Sequence, residues 1–243
     1  MTAKAQQPTR RPTDPECRIR PVCDMLRRVE EQLFHLAHVD DVFWQVHAII
    51  RDNQDIAPGD IFPDWIAMCY VDSVTIGLRR LADRRHDAIS LWRVLQEMGS
   101  VASQLTRERY LNLHERSLRR GAEQRWKGLV GPSEMHVTRA VIRAKQQELE
   151  GALHAVSTFA DKNVAHLAAE PTRPATTFDD VRQSIVAAFK LYRWCSRVLK
   201  SEDPRSPVPK VYTDWFQVFR VPWIRPGNDV PEYQRLDELL RDR

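Results

Sequence analysis

Arg79, Arg80, Arg84 and Arg85 crowd into one short stretch with Asp83, His86, Asp87 and Ser90. Guanidinium groups grip phosphate through paired N–H donors and keep their charge at any physiological pH. Asp83 and Asp87 can orient them. The same residues suit a salt-bridged corner that fixes two helices, so the stretch reads as a phosphate grip or as a structural joint. A second group is Asp161, Lys162 and His166, at the end of a long helical pattern. An imidazole at a helix C-terminus is favoured as a cation and can move protons near neutral pH. Lys and His at such an end can equally satisfy terminal carbonyls. A third is the basic series Arg109, Arg116, Arg120 and Lys127. On one helix, Arg109, Arg116 and Arg120 would share a side and could follow a phosphate backbone. The interleaved Glu108, Glu115 and Glu123 suit a solvated face better.

Other chemistries find little footing. The histidines are scattered, with no H-E-x-x-H and no Cys/His cluster, and His35 with His38 lacks an acidic third ligand, so no metal site is expected. No serine-hydrolase elbow and no Gly-rich phosphate loop occur, and nothing in the chain requires a cofactor. Cys17, Cys23, Cys69 and Cys195 form no C-x-x-C pair. Cys69 and Cys195 fall on apolar helical stripes, where a thiol behaves as a small hydrophobe, and a reducing cytoplasm is the expected compartment. The net charge of +4 permits nucleic-acid binding without requiring it. No uninterrupted apolar run has the length to cross a bilayer, so no membrane partner is expected.

The elements that must position these groups read as helices. Val22, Met25, Leu26, Val29, Leu33 and Leu36 recur at three- and four-residue steps, and the pattern resumes at Val42 and Val46. This is one long helix, or two joined near Asp40-Asp41. Asp60 or Asp64 can start a second, with the stripe Ile66, Cys69, Tyr70, Val74, Leu78 and Leu81. Asp87 can cap a third, carrying Leu91, Val94, Leu95 and Met98. A polar helical segment spans 102–125. Gly131-Pro132-Ser133 opens a long helix with Val137, Val141, Ala144, Leu149, Ala152, Val156 and Phe159 inside. Thr177 and Asp180 have capping-box spacing ahead of Phe178, Val181, Ile185, Ala188, Tyr192, Cys195 and Leu199. Trp65, Trp92 and Trp194 read as core packing. Tyr212–Phe219 and Glu232–Leu240 read as short terminal helices.

No alternating pattern lasts long enough for a sheet, so an all-α antiparallel bundle is expected. Residues 1–21 read as a disordered tail. Residues 22–200 form the bundle, and 201–243 a Pro-rich linker with short helices that pack on it.

Arg79 to Arg93, including Asp83-Arg84-Arg85-His86-Asp87, followed after a long helical stretch by Asp161-Lys162-Asn163-Val164-Ala165-His166, resembles the U-type abortive-infection branch of the HEPN superfamily (higher eukaryote and prokaryote nucleotide-binding). Asp214-Trp215-Phe216 and Phe219-Arg220-Val221-Pro222-Trp223 are similar to that branch too. The resemblance implies a helical bundle, a role in phage defence or a toxin–antitoxin pair, and RNA as substrate. Many such proteins are metal-independent ribonucleases in which an Arg stabilises the phosphorane and a His moves protons during 2′-OH attack, often across a homodimer. Carried over, His166 is the proton-transfer group, Lys162 the phosphate stabiliser and Asp161 the orienting carboxylate. Arg79, Arg80, Arg84, Asp87 and Ser90 form the substrate-binding wall. Ahead of His166 the family's Arg positions hold Phe159, Ala160 and Asp161. The motif spacing recurs at Arg80 with His86 and Arg109 with His114. The other reading is a non-catalytic helical module that binds a protein partner, such as an antitoxin, or a nucleotide. The two differ in whether the 161–166 end meets the 79–85 stretch in one cleft.

Overall fold

A computed structural model describes residues 15–53, 61–165, 176–204, 206 and 215–221. The chain divides into two units, Met1–Pro209 and Lys210–Arg243. The first contains α1 (Pro15–Asp52), α2 (Ile61–Leu81), α3 (Leu91–Ser100), α4 (Arg107–Asn112), α5 (Arg119–Leu129), α6 (Arg139–Phe159) and α7 (Phe178–Lys200). No strand occurs among the described residues, and an isolated bridge joins Thr106 to His136. The all-α bundle expected from periodicity is the observed fold.

α1 is a single helix that starts inside the segment read as a tail. Residues 1–14 lie outside the described residues. Ile19 begins the buried stripe that continues through Val22, Leu26, Val29, Leu33 and Leu36. Burying such side chains contributes roughly 1.5–3 kcal/mol each, and the stripe supplies enough of them to carry the helix past Pro21, which has no N–H for the preceding turn. The acidic pair does not break the helix. Asp40 accepts from the Tyr70 hydroxyl (2.7 Å) and Trp44 Nε1 (3.2 Å), while Asp41 accepts from Gln45 Nε2 (2.6 Å). α2 packs close to α1, and a Cβ on Gly77 would run into the Leu36 side chain.

α2 has two characters. Tyr70, Val74, Leu78 and Leu81 are buried, whereas Ile61, Phe62, Trp65 and Met68 are exposed. Cys69 is exposed as well, so it is not the core thiol its stripe suggested, and Trp65 is not core packing. In the first half of α2 only Ile66 and Ala67 are partly buried against the core among the described residues. Despite Asp64 and Asp72, α2 is long and apolar enough to cross a bilayer, with a mean hydropathy of 1.2.

Three boundaries move from their predicted places. Ser90, not Asp87, caps α3: its Oγ accepts from Arg93 N at 3.0 Å and donates to the Asp83 carbonyl at 2.5 Å. The 102–125 segment is two helices, α4 and α5, with a 3₁₀ turn at Arg116–Leu118. The bend lets buried Tyr110 meet Trp126, ring centroids 5.4 Å apart. Arg109, Arg116 and Arg120 therefore share no helix face. Arg109 is an internal strut, bonded to Glu16 at 2.7 Å and to the Leu199 carbonyl at 3.0 Å. α6 starts at Arg139 behind the Thr138 cap, because Gly131 adopts φ +139° and turns the preceding segment. Its inner stripe is Ile142, Leu149, Leu153 and Val156, while Ala144 is exposed.

α7 follows the predicted pattern. Thr177 and Asp180 form the full capping box. Val181, Ile185, Ala188, Tyr192, Cys195 and Leu199 are buried. Trp194 is buried too, donating to the Leu129 carbonyl at 2.9 Å. In the second unit the described helix is a 3₁₀ segment, Trp215–Arg220, with the Trp215 and Phe216 rings 4.5 Å apart. Residues 232–240 lie outside the described residues.

Candidate functional site

α6 does not end as an ordinary helix. Its last turn widens into a π-helical segment, Ala160–Ala165, with Ala160 fully buried and Asn163 Nδ2 donating to the Phe159 carbonyl at 3.1 Å. This segment packs against α2 and brings Asp161 to Arg79, whose Nε donates to the carboxylate. Two groups separated by 82 residues thus meet at the corner between α2 and α3.

Around this pair lies a recess of about 410 Å³ lined by Arg79, Asp83, Arg84, Arg85, Ser157 and Asp161, with Ala82 as apolar floor. Asp83 accepts from the Arg85 backbone N–H at 2.9 Å and from its guanidinium at 2.8 Å. The Arg85 side chain holds the Asp83 carboxyl below the usual carboxylate range. Arg84 pairs with Glu150 at 2.7 Å and lies over the Trp92 ring, 5.4 Å from its centroid. Trp92 Nε1 donates to the same carboxylate at 2.8 Å, so Glu150 on α6 ties down the loop that carries Arg84. Ser157 Oγ is buried and has no hydrogen-bond partner among the described residues. A buried hydroxyl without a partner is a donor and acceptor in want of one.

The other candidate residues fall differently. Arg80 and Asp87 are exposed and do not line the recess. Ser90 is buried, its hydroxyl committed to the cap and to Asp83. Lys162 is exposed on the π-helical segment, beside the recess rather than in its wall. His166 lies outside the described residues. Arg85 was expected only as one of the arginine-rich stretch and Trp92 as core packing, while Ser157 and Glu150 carried no expectation. Only Ser157 had a local signal, standing one helical turn before Asp161.

A second recess, of about 510 Å³, is lined by Tyr110, His114, Arg125, Leu129, Arg197, Ser201 and Asp203, with Gly128 at its edge. Ser201 Oγ lies 2.5 Å from His114 Nε2. Asp203 accepts from Arg193 at 2.7 Å and from Arg197 at 2.8 Å. Those bonds, Arg197's foremost, hold its carboxyl down to about 2. Among the described residues no group of His, Cys, Asp and Glu is arranged to hold a metal ion.

No protein-family model, no curated protein and no solved structure matches this chain.

Proposed function

We propose that this protein acts on RNA as an HEPN-like phage-defence or toxin–antitoxin component, with the recess between α2, α3 and the end of α6 as its phosphate site. One observation carries the reading: Asp161, next to Lys162 and five residues before His166, is bonded to Arg79 in a recess that also holds Arg84 and Arg85. The Arg79–Asp161 pair is 39% and 47% exposed, and such pairs contribute only about 0–1 kcal/mol, so an incoming phosphate can exchange for the carboxylate. In this reading the guanidiniums balance charge on the phosphorane. His166 accepts the proton as a ribose 2′-oxygen attacks the adjacent phosphorus. The 5′-oxygen departs and takes a proton, leaving a 2′,3′-cyclic phosphate. A second copy of the chain, or an antitoxin, would be its protein partner in the cytoplasm.

The experiment is RNA decay on expression in cells, comparing wild type with His166→Ala and Arg79→Ala at matched protein levels. Decay by wild type that falls at least about tenfold in each variant supports catalysis, the loss of a general acid–base costing about 10²–10⁴-fold. Equal decay in all three, or none in any, removes the ribonuclease.

A specific observation favours a second reading, a non-catalytic module. Each guanidinium of the recess already faces a carboxylate: Arg79 with Asp161, Arg84 with Glu150 and Arg85 with Asp83. Under it, His166→Ala alters stability or partner capture and leaves RNA intact.

A further inference from the structure

The second recess differs from the first in its charge balance. Its lining holds two guanidiniums, Arg125 and Arg197, against one carboxylate, Asp203. Arg125 has no ion-pair partner among the described residues. Arg197 uses Nε and Nη2 on Asp203, which leaves its other terminal nitrogen without a bond among the described residues.

Helix capping does not account for the remaining groups. Ser201 N donates to the Arg197 carbonyl at 2.9 Å and Arg109 donates to the Leu199 carbonyl, so the end of α7 is served without His114 or the Ser201 hydroxyl. Ser201 has φ 61°, a left-handed conformation that favours glycine. A serine there adds one thing glycine lacks, an oxygen against His114 at the recess wall. Burial, with Arg125 nearby, holds the His114 imidazole below its ordinary pKa. That favours the neutral ring, which donates from one nitrogen and accepts at the other.

A phosphate monoester carries close to two negative charges at neutral pH and three acceptor oxygens. That matches one open guanidinium fork on Arg125 and the remaining terminal nitrogen of Arg197, with a hydroxyl and an imidazole, in a volume within the range of small-molecule sites. We propose that the recess between α4, α5 and the end of α7 is a second ligand site, which takes a phosphate monoester with its phosphoryl group between Arg125 and Arg197 and in reach of His114 and Ser201. This site stands independently of the RNA reading.

The test is calorimetric titration of the full chain with adenosine 5′-monophosphate, inorganic phosphate and unphosphorylated adenosine. The monophosphate and phosphate bind saturably, and adenosine does not. The tighter of the two binders shows whether the source is an esterified or a free phosphate, and either order supports the site. Arg125→Ala, an exposed position, weakens binding about tenfold or more, the effect of a lost charge-assisted hydrogen bond. Ser201→Gly suits the backbone, folds, and weakens binding about two- to tenfold. Arg51→Ala, an exposed residue at the end of α1 that lines neither recess, leaves affinity unchanged. Adenosine binding as well as its monophosphate overturns the proposal, as does no saturation by about 1 mM. So does weakening by Arg84→Ala with none by Arg125→Ala, which would send the phosphate to the first recess.

Discussion

The two recesses are built from similar groups and differ in how those groups are neutralised. At the α2–α3 corner, three guanidiniums face three carboxylates, and a bound anion must displace one of them. Beside α7, Asp203 answers Arg193 and Arg197 together, while Arg125 meets no carboxylate among the described residues. A cluster of arginines therefore says little about anion binding until the carboxylates that fold back onto it are known. Density of charge along the chain marked the more compensated of the two places.

The sharpest way to break the comparison is to ask whether both recesses rest on one core. Leu78 is fully buried directly before Arg79, and Leu78→Ala is expected to cost about 2–5 kcal/mol in urea unfolding. Circular dichroism and tryptophan fluorescence should shift together. Separate transitions would mean that the two regions unfold independently.

The two serines give the next contrast. Ser90→Ala removes both a helix cap and a bond to the Asp83 carbonyl, and should lower stability by about 1–2 kcal/mol. Ser201→Gly trades one hydroxyl bond for relief of a left-handed backbone, so its stability should stay within about 1 kcal/mol of wild type. A large loss in thermal unfolding of the second variant would make Ser201 a structural tether like Ser90.

Smaller still is Arg79→Ala, expected to change stability by less than about 1 kcal/mol because its ion pair is solvent-exposed. The most subtle effect is Asp203→Asn in acid. Asp203 is depressed from 3.8 to about 2. A lowered carboxyl stabilises the fold above its unfolded pKa and loses that contribution as pH falls through the folded value. Wild type should thus be the more stable above about pH 4, with the difference fading toward pH 2. A constant difference across that window would detach Asp203 from its arginines.

What could be read in advance follows how local each cause is. The α7 capping box needs only Thr177 and Asp180, three residues apart, and its stripe repeats regularly; both are present. The start of α6 depended on the positive φ of Gly131, and the α4–α5 bend on Tyr110 finding Trp126, neither of which a hydrophobic period encodes. Cys69 belongs to an apolar stripe and Trp65 lies one turn before it, yet both are exposed, because an apolar period does not say which of its members meet the core. Arg79 and Asp161 were each picked out by type, and their meeting required the fold. His114 and Ser201 lie 87 residues apart with no shared motif, so the second recess had no signature along the chain.

The π-helical turn that closes α6 has a consequence for engineering. Removing Ala160 would slide Asp161 into the slot of a fully buried methyl group, about 100° around the axis from where it meets Arg79. A one-residue deletion would turn a carboxylate inward to an apolar interior and leave its former guanidinium facing water. Length at this point acts as a rotational setting, so loop-shortening designs should leave it untouched.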